Sequence, residues 1–180
     1  LFRSVPDWEG VTLIKEDPSK KLTFRVGNLM NVPVQAEVDY QVLSDGKVVW
    51  QGKAASNQAF LPKDLYALSS GKYQLKAEVK DVYGHISEQT VSFCVFSLKD
   101  RRLPEGTGIW CYQPGEEFDA DGTATIYFGS SDKDVCLFYD VMYGDNRMER
   151  KQILFSDSIM AFHYTYKEEY GDGLRCSFAY

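Results

Sequence analysis

The 180 residues include only two histidines, His85 and His163, and four widely separated cysteines, Cys94, Cys111, Cys136 and Cys176. There is no C-x-x-C pair and no histidine close to a cysteine, so the sequence spells out no zinc set. No apolar run approaches the roughly 20 residues needed to cross a bilayer, and no signal-peptide pattern opens the chain. The net charge is −6, with Lys and Arg scattered among Asp and Glu, which leaves no basic stripe to follow a phosphate backbone. Neither a nucleic-acid partner nor a membrane span in this segment is therefore expected. No segment keeps a helical period for three turns, so helices are not expected to build the core.

What remains is a globular composition rich in strand formers. Hydrophobic residues at 44% and charged residues at 26% fit neither a disordered chain nor a collagen-like one. The 12 Tyr and 11 Phe favour strands. The length suits two sandwich modules of about 100 residues each. An even number of cysteines permits disulfides. Free cysteine is also among the most buried residue types, so most of the four are expected to be small apolar core residues. The chain opens on Leu1, and Leu174 to Tyr180 alternate like a strand in progress, so it reads as a piece of a longer protein.

In residues 1–98, Val34, Ala36, Val38, Tyr40 and Val42 share one face while Gln35, Glu37, Asp39 and Gln41 share the other, the period of a half-buried antiparallel strand. Asp45-Gly46 tolerates positive φ and is followed by Val48-Val49-Trp50, which predicts a hairpin. An earlier strand is expected over Leu22 to Val26. Gly71 to Gly84 carries a Gly-x-Tyr strand with Tyr73, Leu75, Ala77 and Val79 on one face, ending in an Asp-x-x-Gly turn. The Tyr73 hydroxyl is expected to bond a nearby carbonyl, as in a tyrosine corner. The closing strand runs from His85 to Phe96 with Val91, Phe93 and Val95 inward, and a short helical turn is expected after Pro62.

The polar run Lys99 to Arg102, followed by Pro104-Glu105-Gly106, marks a linker at 99–103. Residues 104–180 then offer six short strands: Ile109 to Tyr112, Thr123 to Phe128, Val135 to Tyr143, Glu149 to Phe155, Ala161 to Tyr166 and Leu174 to Tyr180. A turn is expected at Gly144-Asp145-Asn146. The fold class is thus all-β, two tandem antiparallel β-sandwiches of the immunoglobulin, fibronectin III or macroglobulin kind.

Three segments hold residue types that chemistry uses. Asp119-Ala120-Asp121-Gly122 is the start of a calcium loop without its later ligands or closing Glu, and reads as a turn. Lys167 to Gly173 packs three acids between glycines, a pattern of solvated loop carboxylates more than of an acid/base pair. Gly129-Ser130-Ser131-Asp132 lacks the Gly-x-Ser-x-Gly elbow and reads as a turn. His85 and His163 have no acid or nucleophile at motif spacing. No catalytic, cofactor-binding or metal-ligating residue is assigned, and an enzyme is not expected.

Four passages resemble a family: Phe96-Ser97-Leu98 with Pro104 and Trp110; Phe128-Gly129-Ser130-Ser131; Tyr139-Asp140-Val141; and Tyr164 through Gly173. They are similar to the large bacterial α2-macroglobulin-like proteins of Bacteroidetes, chains of sandwich domains at the cell envelope thought to trap proteases. The resemblance implies an extracytoplasmic location in the periplasm or at the cell surface. It also implies partners among other domains of the same parent chain and among trapped proteases. The covalent members use a Cys-x-Glu-Gln thioester. None of Cys94, Cys111, Cys136 and Cys176 stands in that context, so the resemblance implies scaffold without the reactive bond. Two functions are carried forward: structural modules of a protease trap, and a cell-surface adhesion module that binds carbohydrate or protein.

Overall fold

A computed structural model describes residues 3–115, 117–119, 122–144, 146–171 and 173–180. The chain divides into two compact units, Leu1–Lys99 and Asp100–Tyr180. Both are β-sandwiches, and among the described residues the only helical elements are two short 3-10 turns.

The first unit begins with β1 (Arg3–Pro6), β2 (Val11–Ile14) and β3 (Phe24–Gly27). The longer strands follow: β4 (Glu37–Ser44), β5 (Lys47–Ala55), β6 (Gly71–Lys80) and β7 (Ile86–Phe96). One sheet has the order β2-β7-β6-β4-β5, and β1 pairs with β3 to cover it. The alternation in the sequence sets the inner face. Val38, Tyr40 and Val42 of β4 meet Tyr73, Leu75, Ala77 and Val79 of β6 and Val91, Phe93 and Val95 of β7 in one buried cluster. The Tyr73 hydroxyl donates to the Ser69 carbonyl at 2.8 Å, closing the expected tyrosine corner. Asp45 and Gly46 both take positive φ, 48° and 74°, as a two-residue hairpin with the right-handed twist of its strands requires.

One pairing departs from the antiparallel expectation, because β2 runs parallel to β7. The cause is continuity of the chain. β1 and β2 are a single run interrupted at 7–10, where it leaves the small sheet and lands beside the last strand of the other, still heading the same way.

Two features of this unit are long-range and invisible to a local pattern. Trp8, in the turn between β1 and β2, is 2% exposed, lies 5.5 Å from the Phe93 ring and donates its indole N–H to the Lys21 carbonyl at 2.9 Å. Ser56 and Asn57, just past β5, bond where strand pairing is missing. The Ser56 hydroxyl accepts from Ala36 N and donates to Val34 O, and the Asn57 amide accepts from Val26 N and donates to Val26 O and Val34 O. These bonds tie β3 to the segment leading into β4 and satisfy backbone groups that would otherwise be orphaned.

Gly52 sits where Trp50 lies over Tyr40, ring centroids 5.2 Å apart. A Cβ at Gly52 would fall 2.3 Å from the Trp50 ring. Gly52→Ala therefore has to displace a rigid indole stacked on a buried tyrosine. It is expected to destabilise the first unit by about 1–3 kcal/mol, read as a lower denaturant midpoint together with a shifted tryptophan emission.

The tip of the β6–β7 hairpin is organised by Asp81, which is nearly buried. Its carboxylate accepts from the backbone N–H groups of Tyr83 and His85, both at 2.9 Å, and lies 3.0 Å from His85 Nδ1. Burial pushes the Asp81 carboxyl up, but hydrogen bonds from the His85 ring and from the His85 and Tyr83 backbones, with the His85 charge, outweigh it and hold the group at about 2. A carboxyl depressed below its unfolded value contributes stability above that value, and the contribution is lost as pH falls through the folded one. Acidification from about pH 5 towards pH 2 is thus expected to lower the protection of the Tyr83 and His85 amides relative to their intrinsic exchange at each pH, the window given by the ordinary and shifted carboxyl values. Asp81→Asn should remove that pH dependence while leaving exchange in the β6–β7 ladder centre unchanged.

The second unit is built from β8 (Ile109–Tyr112), β9 (Thr123–Ser130), β10 (Val135–Tyr143), β11 (Asn146–Phe155), β12 (Ser158–Thr165) and β13 (Arg175–Ala179). Two three-stranded sheets, β12-β9-β8 and β11-β10-β13, face each other. Their shared core is aromatic: Phe128 stacks on Phe178 at 5.4 Å and meets Phe155 edge-on at 5.9 Å, and Tyr139 meets Phe162 edge-on at 4.9 Å. Residues just after Lys99 join this unit directly, with Arg101 O accepting from Ile159 N and Leu103 buried. The turn expected at Gly144-Asp145-Asn146 joins β10 to β11, with Asp145 outside the described residues.

Candidate functional site

Between the sheets of the second unit, at the end away from the β9–β10 turn, lies a cleft of about 420 Å³. Cys111 of β8, Ala124 and Ile126 of β9, Tyr164 of β12 and Cys176 and Phe178 of β13 form its floor, and Glu117, Phe118, Tyr166 and Leu174 form its rim. The strand register aims these side chains inward. Cys111 is paired with Phe128, and Tyr164 with Ala124, all on the inner face.

The cleft holds two thiols and a phenol, and all three favour their protonated forms. Burial raises the Cys111 and Cys176 thiols. The Tyr164 phenol is pushed well up by burial first, then by the neighbouring Cys176 and Tyr139. Its hydroxyl is sealed from solvent beside Cys176 and makes no well-formed hydrogen bond. A nucleophile needs a base or a lowered pKa. No imidazole lines the cleft, and the shifts run the wrong way for a thiolate. The cleft is suited to an uncharged group.

The segments singled out in the sequence are dispersed. Asp119 forms a turn into β9, its carboxylate accepting from Thr123 N at 2.8 Å and its carbonyl from Gly122 N at 2.9 Å. Ala120 and Asp121 lie outside the described residues. In Lys167 to Gly173, a 3-10 turn (Glu168–Tyr170) buries Tyr170 and leaves Glu168 and Glu169 in solvent, with Lys167 3.7 Å from Glu169; Asp172 lies outside the described residues. Ser130 is fully buried and accepts from Asp132 N, while Ser131 accepts from Gly108 N, so both hydroxyls stabilise turns. His163 bonds Thr125 at 3.0 Å on the outer face of β12 and β9, and His85 serves Asp81 in the other unit. Among the described residues no three His, Cys, Asp or Glu side chains could hold a metal ion.

The cysteines differ from expectation. None belongs to the fully buried core: Cys94, Cys136 and Cys176 are half-buried and Cys111 is exposed, all as free thiols. Cys94 and Cys136 fall on the outward half of their strands' alternation, Cys136 receiving the Gln152 amide at 3.2 Å. Cys111 and Cys176 do point inward, but on edge strands where the sandwich is open.

No protein-family model matches the chain. No curated protein sequence matches it either. Several solved structures are similar. A tetra-tandem repeat from the extending region of a large adhesion protein is 11% identical, with 90% of this chain and 40% of that one covered and a TM-score of 0.38. A Ca²⁺-stabilised adhesin with which an Antarctic bacterium binds ice is 9% identical, with 91% and 41% covered and a TM-score of 0.29. The fibronectin(III)-like modules of Clostridium thermocellum CbhA are 10% identical, with 99% and 91% covered and a TM-score of 0.38. The chain spans about two fifths of the length of the first two. At these scores the likeness decides nothing about function.

The passages that resemble macroglobulins have local packing roles. Phe128 and Tyr139 fill the core, Ser130 and Ser131 close a turn, and Tyr164 and Tyr166 line the cleft. A sandwich of this kind needs such residues whatever its family.

Sequence reading also missed a surface. The loop 28–32 between β3 and the segment entering β4 exposes Leu29 (80%) and Met30 (84%), and the β6–β7 tip exposes Val82 (89%) and Tyr83 (84%). The pairings of Gly27 with Pro33 and of Val38 with Val79 put both loops at the same end of the first unit. The only sequence signal is a pair of apolar doublets inside turns.

Proposed function

We propose that this chain forms non-catalytic interaction modules of an extracytoplasmic adhesion protein, and that the apolar loop end of its first unit is the contact surface for another protein. The observation that carries the reading is the exposure of Leu29, Met30, Val82 and Tyr83 together at one end, with Val32 and Ile86 beside them. Apolar side chains gain by leaving water, so grouped exposure marks a contact region better than scattered exposure does. Loops at the end of a sandwich can carry such residues without disturbing the sheets that hold them. Leu29, Met30 and Val82 are aliphatic and suit an apolar protein surface, with Tyr83 the single aromatic among the four.

Among the described residues no helix is long and apolar enough to cross a membrane. The remaining partners in this reading are further domains of the same parent chain. Two of the similar structures belong to adhesion proteins, but the loop end itself carries the reading. No observation favours a protease trap.

The test in cells is to replace Leu29, Met30, Val82 and Tyr83 by serine in the parent protein and to count attached cells. Attachment should fall while surface display of the parent is unchanged. Undiminished attachment would remove the loop end from the function.

A further inference from the structure

Cys111 and Cys176 are separated by most of the second unit in sequence, yet both line the cleft between its sheets. Cys111 stands on β8, an edge strand of four residues bonded on one side only. Cys176 stands on β13, an edge strand of the facing sheet. The neighbours of each bring them together. Cys111 is the cross-strand partner of Phe128, Phe128 stacks on Phe178 at 5.4 Å, and Phe178 is two residues along the same face of β13 from Cys176. The two thiols also sense each other electrostatically. Neither of the other cysteines shares this space, Cys94 being in the first unit and Cys136 on the outward face of β10.

We propose that Cys111 and Cys176 are an oxidisable pair that forms an inter-sheet disulfide across the cleft. The chemistry is thiol–disulfide exchange with a small disulfide such as oxidised glutathione. Cys111, the exposed thiol, loses its proton only in the minor fraction that its raised pKa allows, so the exchange is faster in alkali; that thiolate attacks one donor sulfur, forming a mixed disulfide and expelling one glutathione thiolate. Cys176, half-buried beside the Tyr164 hydroxyl, then loses its proton and attacks the Cys111 sulfur. The second glutathione leaves as thiolate. Two protein thiols are oxidised, one donor disulfide is reduced, and both protons end on the released thiols. A disulfide requires Cα atoms within about 7 Å; among the described residues β8 is paired on one side only, with β9, so its other side carries no strand that would oppose its approach to β13. The cross-link joins the sheets where only side chains hold them, and it narrows the cleft. It rests on the geometry of the second unit and is independent of the adhesion reading.

The test incubates the intact chain with oxidised glutathione under native conditions, followed by thiol counting and non-reducing peptide mapping. The expected result is a fall from four to two free thiols, matching the four free cysteines, with the Cys111 peptide linked to the Cys176 peptide. The second unit should gain about 10 °C or more in melting temperature, from the size of loop closed, and reductant should reverse the gain. Cys111→Ser and Cys176→Ser should each retain three thiols or carry one glutathione, without an internal link. Four persistent free thiols, stable glutathione adducts on both cysteines of the wild-type chain, or a link involving Cys94 or Cys136 would overturn the proposal.

Discussion

Trp8→Ala is expected to cost the first unit about 3–5 kcal/mol, much of the roughly 5–15 kcal/mol that holds a whole domain together. The indole is almost completely buried against Phe93, in a cluster that also holds Leu13, Leu22 and Phe24. Its removal leaves a cavity at the point where the chain changes sheets between β1 and β2, and it leaves the Lys21 carbonyl without its 2.9 Å donor. A turn cannot collapse into that space without pulling β2 away from β7. Trp8→Phe keeps most of the volume and loses only the N–H, so it should cost about 1–2 kcal/mol. Urea denaturation of both variants checks this. Equal losses would show that the hydrogen bond, not packing, is what Trp8 supplies.

Phe128→Ala is expected to have a comparable effect on the second unit, about 3–5 kcal/mol. The ring lies between the sheets, stacked on Phe178 and edge-on to Phe155, so one substitution breaks both contacts. The core of this unit is small; among the described residues Ile126, Phe128, Leu137, Tyr139 and Val141 are its buried hydrophobic strand residues. Few neighbours remain to fill the void. Phe138→Ala, on the same sheet as Tyr139 but half exposed, should change stability by less than about 0.5 kcal/mol. Near-ultraviolet circular dichroism through a thermal melt distinguishes the two, since only the first should lose the aromatic signal early.

The strands of both units were legible because their burial is periodic and local. Val38, Tyr40 and Val42, then Tyr73, Leu75, Ala77 and Val79, alternate without interruption, and Asp45-Gly46 has the chemistry that a tight hairpin demands. What escaped was set by partners distant in sequence. Trp8 is one aromatic in a turn, and nothing beside it announces that Phe93 will lie against it. Ser56 and Asn57 look like ordinary turn residues, although they supply bonds for β3 and for the run into β4. The parallel pairing of β2 follows from where β1 ends, which no alternation encodes. The cysteines misled for a related reason: Cys111 and Cys176 have inward phase, but phase does not tell whether an edge strand is covered. The apolar loop end was overlooked because doublets such as Leu29-Met30 and Val82-Tyr83 carry no period, and their shared position appears only once strand register is known.

The most direct measurement is binding of the purified chain to an array of extracellular proteins and glycans, beside a variant with Leu29, Met30, Val82 and Tyr83 changed to serine. The expected result is saturable binding to a protein target that falls at least about tenfold in the variant, a loss of about 1.4 kcal/mol, with unchanged melting temperature. Binding to no target, or equal binding by both chains, would contradict a contact surface at the loop end.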